Sequence, residues 1–323
     1  MYSSFPDLFK CIKCNSSFEN SKIQTDNLIC SCGKVYPIFE SSINFLDSNT
    51  NAYSIGNLEK IDQSFSQQWK MFDYDNKDFK TWDWDIRSRL IQFFKEMSIS
   101  HQTLNNKLLL DAGCGNGVLT SWISLFGCKT VGIDISDSIF RANIQSRKIL
   151  RNDNRPVFVK GSLTNPPFQE KTFDYIYSSG VLHHNKNTRE VLSVLCPLLQ
   201  DDGRIYVWLY SENMINFLFV RPFRKITTKL PLDLLHGLTY MLAFPFSILR
   251  SVSSFLGLRK YVKKSVAELQ LSIHDTFSPT YAHHHTEKEL IDWFNELGFT
   301  KSKVTFRSRI GFGILASRTN LEP

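Results

Sequence analysis

Residues 108–117, Leu-Leu-Leu-Asp-Ala-Gly-Cys-Gly-Asn-Gly, restrict this chain more than any other stretch. The short apolar run fits a buried parallel strand, and its arrest in three alternate glycines demands backbone in close approach to something other than a side chain. From there to Phe126 a helical pattern holds Leu119, Trp122, Ile123 and Phe126 on one face. Strand, glycine loop and helix in succession make the first unit of a doubly wound α/β sheet. Ligands of such sheets sit at the carboxyl ends of the strands, where the winding reverses.

The remaining strands can be followed along the chain. Thr130-Val-Gly-Ile133 is a second strand ending in Asp134, 23 residues beyond Asp111. Residues 156–160 form a third, running into Gly161-Ser162-Leu163. Phe173-Asp174-Tyr175-Ile176-Tyr177 is a fourth, entering Ser178-Ser179-Gly180-Val181-Leu182-His183-His184. A helix over about 188–199 and the turn Asp201-Asp202-Gly203 lead to a fifth strand at 204–210. Each polar motif falls at a strand's carboxyl end.

The loop chemistry narrows the ligand. Its spacing is G-x-G-x-G, whereas the dinucleotide fingerprint is G-x-G-x-x-G, and no Lys or Arg occurs from 108 to 128. A phosphate usually meets cations or a helix N-terminus there. S-adenosylmethionine has no phosphate and carries a cationic sulfonium and ammonium, which suit the carboxylate of Asp111. Asp134 stands where an acidic side chain accepts ribose hydroxyls. The plainer roles are satisfaction of loop amides by Asp111 and capping of the next helix by Asp134, although Ser136 is the better cap.

Residues 111–117, Asp134, Phe173-Asp174-Tyr175-Ile176 with Gly180-Val181-Leu182-His183-His184, and Gly203-Arg204-Ile205 resemble the motifs of class I S-adenosylmethionine-dependent methyltransferases of the type 11 kind. Phe65 with Trp69, Trp208-Leu209-Tyr210, Ser278-Pro279-Thr280-Tyr281 and His285-Thr286 resemble a bacterial small-molecule group among them. The resemblance implies a mostly parallel seven-stranded sheet and a set of donor contacts. Asp111, Gly113, Gly115, Asn116 and Gly117 would hold the methionine part, Asp134 and Ile135 the ribose, and Ser162, Leu163 and Ser179 the rest of the donor. Many relatives have Asp at the position of Ser162, so here Ser162 or the Leu163 backbone meets the adenine.

Methyl transfer is an in-line displacement in which positioning does much of the work, and a base is needed only if the acceptor loses a proton. His183 and His184 follow the fourth strand, where the methyl group should point, and His284 lies in the cluster 283–285 ahead of a helix that opens with Thr286 and Glu289. These three are the candidate bases. Orientation of a loop or a helix start is the plainer role for either cluster.

Seven cysteines, an odd number, fit a reducing compartment. Cys11, Cys14, Cys30 and Cys32 read C-x2-C, fifteen residues, C-x-C; two close pairs on tight turns assemble a small structural zinc site, the C-x-C departs from the usual second C-x2-C, and a ribbon that folds without metal is the plainer reading. With Tyr36-Pro37-Ile38 they resemble a zinc-ribbon-like activator domain found fused to methyltransferases. Cys114, Cys128 and Cys196 read as core or loop residues. No basic region followed by an apolar stretch opens the chain, so the cytoplasm is the expected location.

The expected organisation is a ribbon-like domain over 1–48, a linker with aromatic lead-in helices over 49–106, and a methyltransferase domain over 107–323 with a helical lid at 211–270. The lead-in holds Phe65, Trp69, Phe72, Trp82 and Trp84, then a helix over about 85–97. Within 211–265 lie nine basic and two acidic residues, a net +7 equal to that of the whole chain, among apolar runs at 214–220 and 230–249. One or two amphipathic helices capping the pocket are expected there, and their basic residues leave two readings, contact with an anionic inner-membrane surface or a helical lid with a solvated basic face. The expected acceptor is a small or lipid-like molecule. Nucleic acid is not expected, since the cations lie among Leu and Phe without aromatic interleaving. An RNA or protein methyltransferase and a non-catalytic partner protein of the same fold are the alternatives.

Overall fold

The computed structural model describes residues 8–18, 22–24, 26–46, 57–71, 85–150, 154–212, 220–255, 265–319 and 321. Phe72, Trp82, Trp84, residues 214–219 and the basic residues at 259–264 lie outside them. Four short strands open the chain: β1 (Lys22–Gln24), β2 (Asn27–Ile29), β3 (Val35–Phe39) and β4 (Ser42–Asn44). Helices α1 (Leu58–Met71) and α2 (Ile86–Met97) follow. Then come β5 (Leu108–Ala112), α3 (Val118–Ser124), β6 (Lys129–Asp134), α4 (Ser138–Ile149), β7 (Val157–Lys160), β8 (Phe173–Ser179), α5 (Thr188–Leu195) and β9 (Leu199–Tyr210). The inserted helices are α6 (Arg221–Thr227), α7 (Leu232–Phe255) and α8 (Val266–Phe277). The chain closes with α9 (Glu287–Glu296), β10 (Lys301–Arg307) and β11 (Gly311–Ser317).

The sheet runs β7-β6-β5-β8-β9-β11-β10, all parallel except β11, which lies antiparallel to both neighbours. Winding reverses between β5 and β8. Register sets Asp111 opposite Gly132 and Asp134 opposite Lys160, so the polar strand ends align along one edge. This is the doubly wound, mostly parallel seven-stranded arrangement that the motifs imply. Helix α5 stops at Leu195, four residues short of the expected end. Pro197 has no N–H to continue the ladder, and residues 196–198 form a 3-10 turn instead.

The N-terminal strands extend this sheet. β4 pairs in parallel with β7, Ile43 opposite Val159, and the Phe45 N–H donates to the Lys160 carbonyl at 2.7 Å. Without β4, β7 would present an unpaired edge. Tyr36 and Phe45 pack at 4.9 Å between ring centroids, Phe9 lies 5.5 Å from Phe45, and Phe9 meets Phe168 at 5.7 Å. One apolar core therefore runs from the ribbon into the sheet.

On one face α2 buries Leu90, Phe93 and Met97 against Leu109, Tyr177 and Tyr206. The same face carries Glu96, which accepts from Tyr177 Oη at 2.6 Å and from Arg89 at 3.1 Å. Helix α1 crosses the strand ends and is pinned by Lys160. Its ammonium sits 3.0 Å from Asp62 and 2.7 Å from Asp137. Burial pushes Lys160 toward its neutral form, and Asp137 with Asp62 overcomes this, so its pKa lies above the usual lysine range.

Removing one partner from a buried charge network leaves the others uncompensated. Lys160→Met should lower the stability measured by denaturant unfolding by about 3–5 kcal/mol. Lys171→Met, which breaks the exposed pair with Asp201, should change it by less than about 1 kcal/mol. Equal effects of the two substitutions would show that Lys160 does not pin α1.

Candidate active site

Asp111 is the penultimate residue of β5 and is 5% exposed. Thr120, one turn into α3, donates its hydroxyl to Asp111 Oδ2 at 2.5 Å. Burial raises the Asp111 pKa to about 6, although the Thr120 bond and the charge of Arg89 favour the carboxylate. The loop beyond it folds tightly over β6, where the Gly113 and Cys114 N–H groups donate to the Ile133 carbonyl. Gly113 has φ +90° and a Cβ there would strike Val181; Gly115 has φ +54° and a Cβ would strike the Trp69 ring. Those two positions need glycine on both counts. Asn116 Oδ1 accepts from the Val118 N–H at 3.3 Å, and Gly117 begins α3.

Asp134 ends β6 and turns back toward this loop. Its Oδ2 accepts from the Gly115 N–H at 2.9 Å, and its Oδ1 accepts from the Ser136 N–H at 2.9 Å and the Ser136 hydroxyl at 2.7 Å. Three of about four acceptor sites on the carboxylate are engaged in this way. Burial holds its pKa above the usual carboxylate value against these donors. No side-chain bond caps α4, whose N-cap is Asp137 rather than Ser136. Ile135 is half-buried beside Asp134. Ser162 and Leu163 lie in the turn after β7, and the Ser162 hydroxyl lies 2.7 Å from that of Thr164. Ser179 closes β8. All of these residues gather at the carboxyl ends of β5 to β8.

The two histidine clusters, about a hundred residues apart in sequence, meet around Tyr210 at the end of β9. The His283 N–H donates to the His183 carbonyl at 3.0 Å and the His285 N–H to the Tyr210 carbonyl at 2.9 Å, which lays 283–285 along the loop after β8. The His183 ring lies 4.0 Å from Tyr210 between centroids, and His284 stacks on Tyr210 at 5.6 Å. His183 is fully buried, and neither of its ring nitrogens has a hydrogen-bond partner among the described residues. Burial and the neighbouring histidines hold its pKa well below the ordinary value. His284 is pushed down to about 4 by burial, then by Arg221 and Arg224. His184 differs: its Nδ1 is 2.8 Å from the Tyr281 carbonyl, which fixes Nδ1 as the donor and leaves Nε2 with the lone pair. His285 takes a structural position, with Nε2 3.0 Å from the Thr188 hydroxyl.

Several residues here have no distinctive sequence signature. Asp275 on α8 accepts from Tyr210 Oη at 3.1 Å and from Gln68 on α1 at 3.3 Å, joining the inserted helices to the lead-in. Arg224 is buried and donates to the carbonyls of Thr276 and Pro279. Phe65 packs edge-on against His184 at 5.4 Å, so Phe65 and Trp69 on α1 cover the histidines and the glycine loop respectively. The Phe65–Trp69 spacing is a sequence signal for that contact, and a buried cation closing an apolar strand, Lys160, is a second.

Away from this cluster, Cys11, Cys14, Cys30 and Cys32 bring their sulfurs within 4.8 Å of one another. The Cys11–Cys32 and Cys14–Cys30 separations are 3.7 and 3.6 Å. A tetrahedron of thiolates about 2.3 Å from zinc has edges of about 3.8 Å. The four side chains therefore fit that ion, and Tyr36 Oη, 3.0 Å from Cys11 Sγ, supports the first pair.

Residues 110–207 match the family model described as a methyltransferase domain. Over 110 residues the chain is 36% identical to a sterol 24-C-methyltransferase of Schizosaccharomyces pombe, covering 32% of this chain and 29% of that protein. It is 25% identical over 194 residues to the mitochondrial ubiquinone biosynthesis O-methyltransferase of the same organism, covering 54% of this chain and 69% of the relative. The chain thus spans under a third of the sterol relative's length. A solved structure of magnesium protoporphyrin IX methyltransferase from Synechocystis PCC 6803 with bound SAH is 18% identical, with a TM-score of 0.49 over 81% of this chain and 100% of that one. Over residues 110–207, therefore, the chain carries a methyltransferase domain.

Proposed function

We propose that the protein transfers the methyl group of S-adenosylmethionine to a small-molecule or lipid-like acceptor. The observation that carries this reading is the pair of carboxylates, Asp111 and Asp134, on adjacent strand ends around a glycine loop, with a neutral His–Tyr cluster beside them. The donor supplies an electrophilic methyl on a sulfonium. Asp111 complements its positive charge, with Gly113, Gly115, Asn116 and Gly117 shaping the methionine site. Asp134 and Ile135 hold the ribose, the Ser136 hydroxyl yielding its place on Oδ1 to a second ribose hydroxyl. Ser162, Leu163 and Ser179 flank the remainder.

On the acceptor side, His183 offers unpartnered polar atoms in an apolar enclosure, suited to orienting a hydroxyl or carbonyl. His184, with Nδ1 tied to a carbonyl, presents Nε2 as the base where a proton must leave, and His284 closes the wall through Tyr210. The relatives named above, a sterol methyltransferase and a methyltransferase of ubiquinone biosynthesis, support a lipid-like acceptor. We further propose that the four N-terminal thiolates hold one structural zinc and that the protein works in the cytoplasm, as its odd count of seven cysteines favours.

Incubating the protein with methyl-labelled donor and cell extracts should move label into the small-molecule or lipid fraction. Label in RNA or protein would replace the acceptor class, and no label would remove the activity. Asp134→Asn keeps the shape but loses charge, and should weaken calorimetric binding of the donor and its demethylated product by about 2–3 kcal/mol, or ~30-fold to 150-fold. Unchanged affinity would remove the ribose assignment.

The Asp111 carboxylate gives a pH dependence of known sign. With its folded pKa at about 6 the group is mostly neutral at about pH 5, and only the anion attracts the cationic donor. Donor affinity should therefore rise about tenfold from about pH 5 to 7. Asp111→Asn should flatten that profile, and a parallel profile in the variant would place the titration elsewhere.

For the ribbon, metal analysis should find about one zinc per chain, and chelation should raise amide exchange in residues 8–46 without altering donor affinity. Metal-free protein with an equally protected ribbon would show that its aromatic core suffices.

A further inference from the structure

Helix α7 turns most of its apolar side chains outward. One described helix is long and apolar enough to cross a membrane, at Leu232–Ser254, and only 17% of its most apolar window is buried. A core helix of that composition would be mostly buried. Leu235, Thr239 and Ala243, successive turns of a single stripe, are the buried positions. Met241 is 70% exposed and Leu249 67%, with Phe244, Phe246 and Ile248 also in solvent. No Asp, Glu, Lys or Arg interrupts 234–249. The preceding α6 adds exposed Phe223 and Ile226. Contiguous apolar surface beyond a few hundred Å² marks a site of interaction.

The charges flanking this surface identify what covers it. Exposed Lys225 and Lys229 precede α7, Arg250 lies near its end, and Arg259, Lys260, Lys263 and Lys264 follow in sequence. An apolar face bordered by cations at both ends complements acyl chains beneath anionic headgroups. A second copy of the chain would set one +7 segment against another, which opposes association.

The packing also fixes the pose. At 24 residues α7 is about 36 Å long, enough to span the hydrocarbon core. Yet α8 packs along it, with Gln270 bonded to the His236 carbonyl at 3.2 Å, and α8 carries buried Glu268 and His274. A spanning α7 would draw these polar groups into the acyl layer. We propose that α6 and α7 seat the protein on an anionic bilayer as a monotopic anchor, α7 lying in the surface plane with its exposed face among the acyl chains. Gln67 of α1 bonds Asp233 at 2.6 Å and Asp275 of α8 bonds Tyr210, so the anchored helices border the acceptor side of the site. The anchor goes beyond the methyl-transfer reading and is measured without activity.

The full-length protein should float with vesicles of phosphatidylcholine and phosphatidylglycerol, bind less to phosphatidylcholine alone, and resist release by high salt or alkaline carbonate. Met241→Asp, Phe246→Asp and Leu249→Asp together lie on the exposed face, so thermal stability and donor affinity should hold while vesicle binding falls about tenfold or more. In Phe246→Trp the added indole should shift its emission to the blue on vesicles and be quenched by lipids brominated within the acyl chain. Failure of the wild type to float with either vesicle would overturn the anchor. So would full release by salt with no acyl-chain quenching, or a dimer that the triple substitution dissociates in the absence of any vesicle binding.

Discussion

The bond from the Gly115 N–H to Asp134 Oδ2 ties the glycine loop to the neighbouring strand, and the rest of the site depends on it. The register of β5 against β6 sets where the loop begins and where the carboxylate ends. Because Gly115 adopts a positive φ and lacks Cβ, the loop can turn inward while Trp69 rests directly on it. Asp134 in turn is held by Ser136, so the loop, the strand end and the start of the α4 segment form one unit. Lys160, paired in register with Asp134, extends the unit to α1 and to Asp137.

Electrostatically the site divides into two halves. On the donor side burial raises both carboxylates, Asp111 and Asp134, so each gains from a cation that restores its charge. On the acceptor side burial pushes His183, His184 and His284 below their ordinary values, so the imidazoles are neutral at physiological pH. Neutral rings beside a sulfonium avoid the repulsion that imidazolium would bring, and a neutral imidazole can accept a proton. The division follows from topology: carboxylates come from the strands before the reversal, histidines from the loops after it.

Strands β5 to β9 were legible because each is an apolar run that stops in a polar motif, a pattern local to a few residues. The capping boxes at Ser265 with Glu268 and Thr286 with Glu289 are equally local, and the second was readable from its spacing. Contacts between distant segments were not legible. The pairing of β4 with β7 joins residues more than a hundred apart, and nothing in Ser-Ile-Asn announces a parallel partner. Glu96 looks like a solvent-facing residue, yet Phe93 and Met97 fix the helix face that buries it, and Tyr177 and Arg89 supply its partners. The apolar run at 230–249 contains Asp233 and Pro245, and both lie inside one helix. The helix runs through Pro245 because one lost backbone bond, at an exposed position, costs less than ending the helix.

The inserted helices raise a question of balance that the sheet does not. A helix that leaves Met241 and Leu249 in water gains little hydrophobic free energy from folding, so burial alone cannot explain why α7 is long and apolar. Its N-terminal half is held by side chains that serve the site: Asp233 through Gln67, and the helix partner α8 through Asp275 to Tyr210 and Gln68. Polar bonds therefore fix where α7 stands relative to the histidines, and the apolar face is left to whatever the helix meets. Position is set by the active site and composition by the surroundings. A single element can satisfy both because its narrow buried stripe and its wide exposed face use different residues.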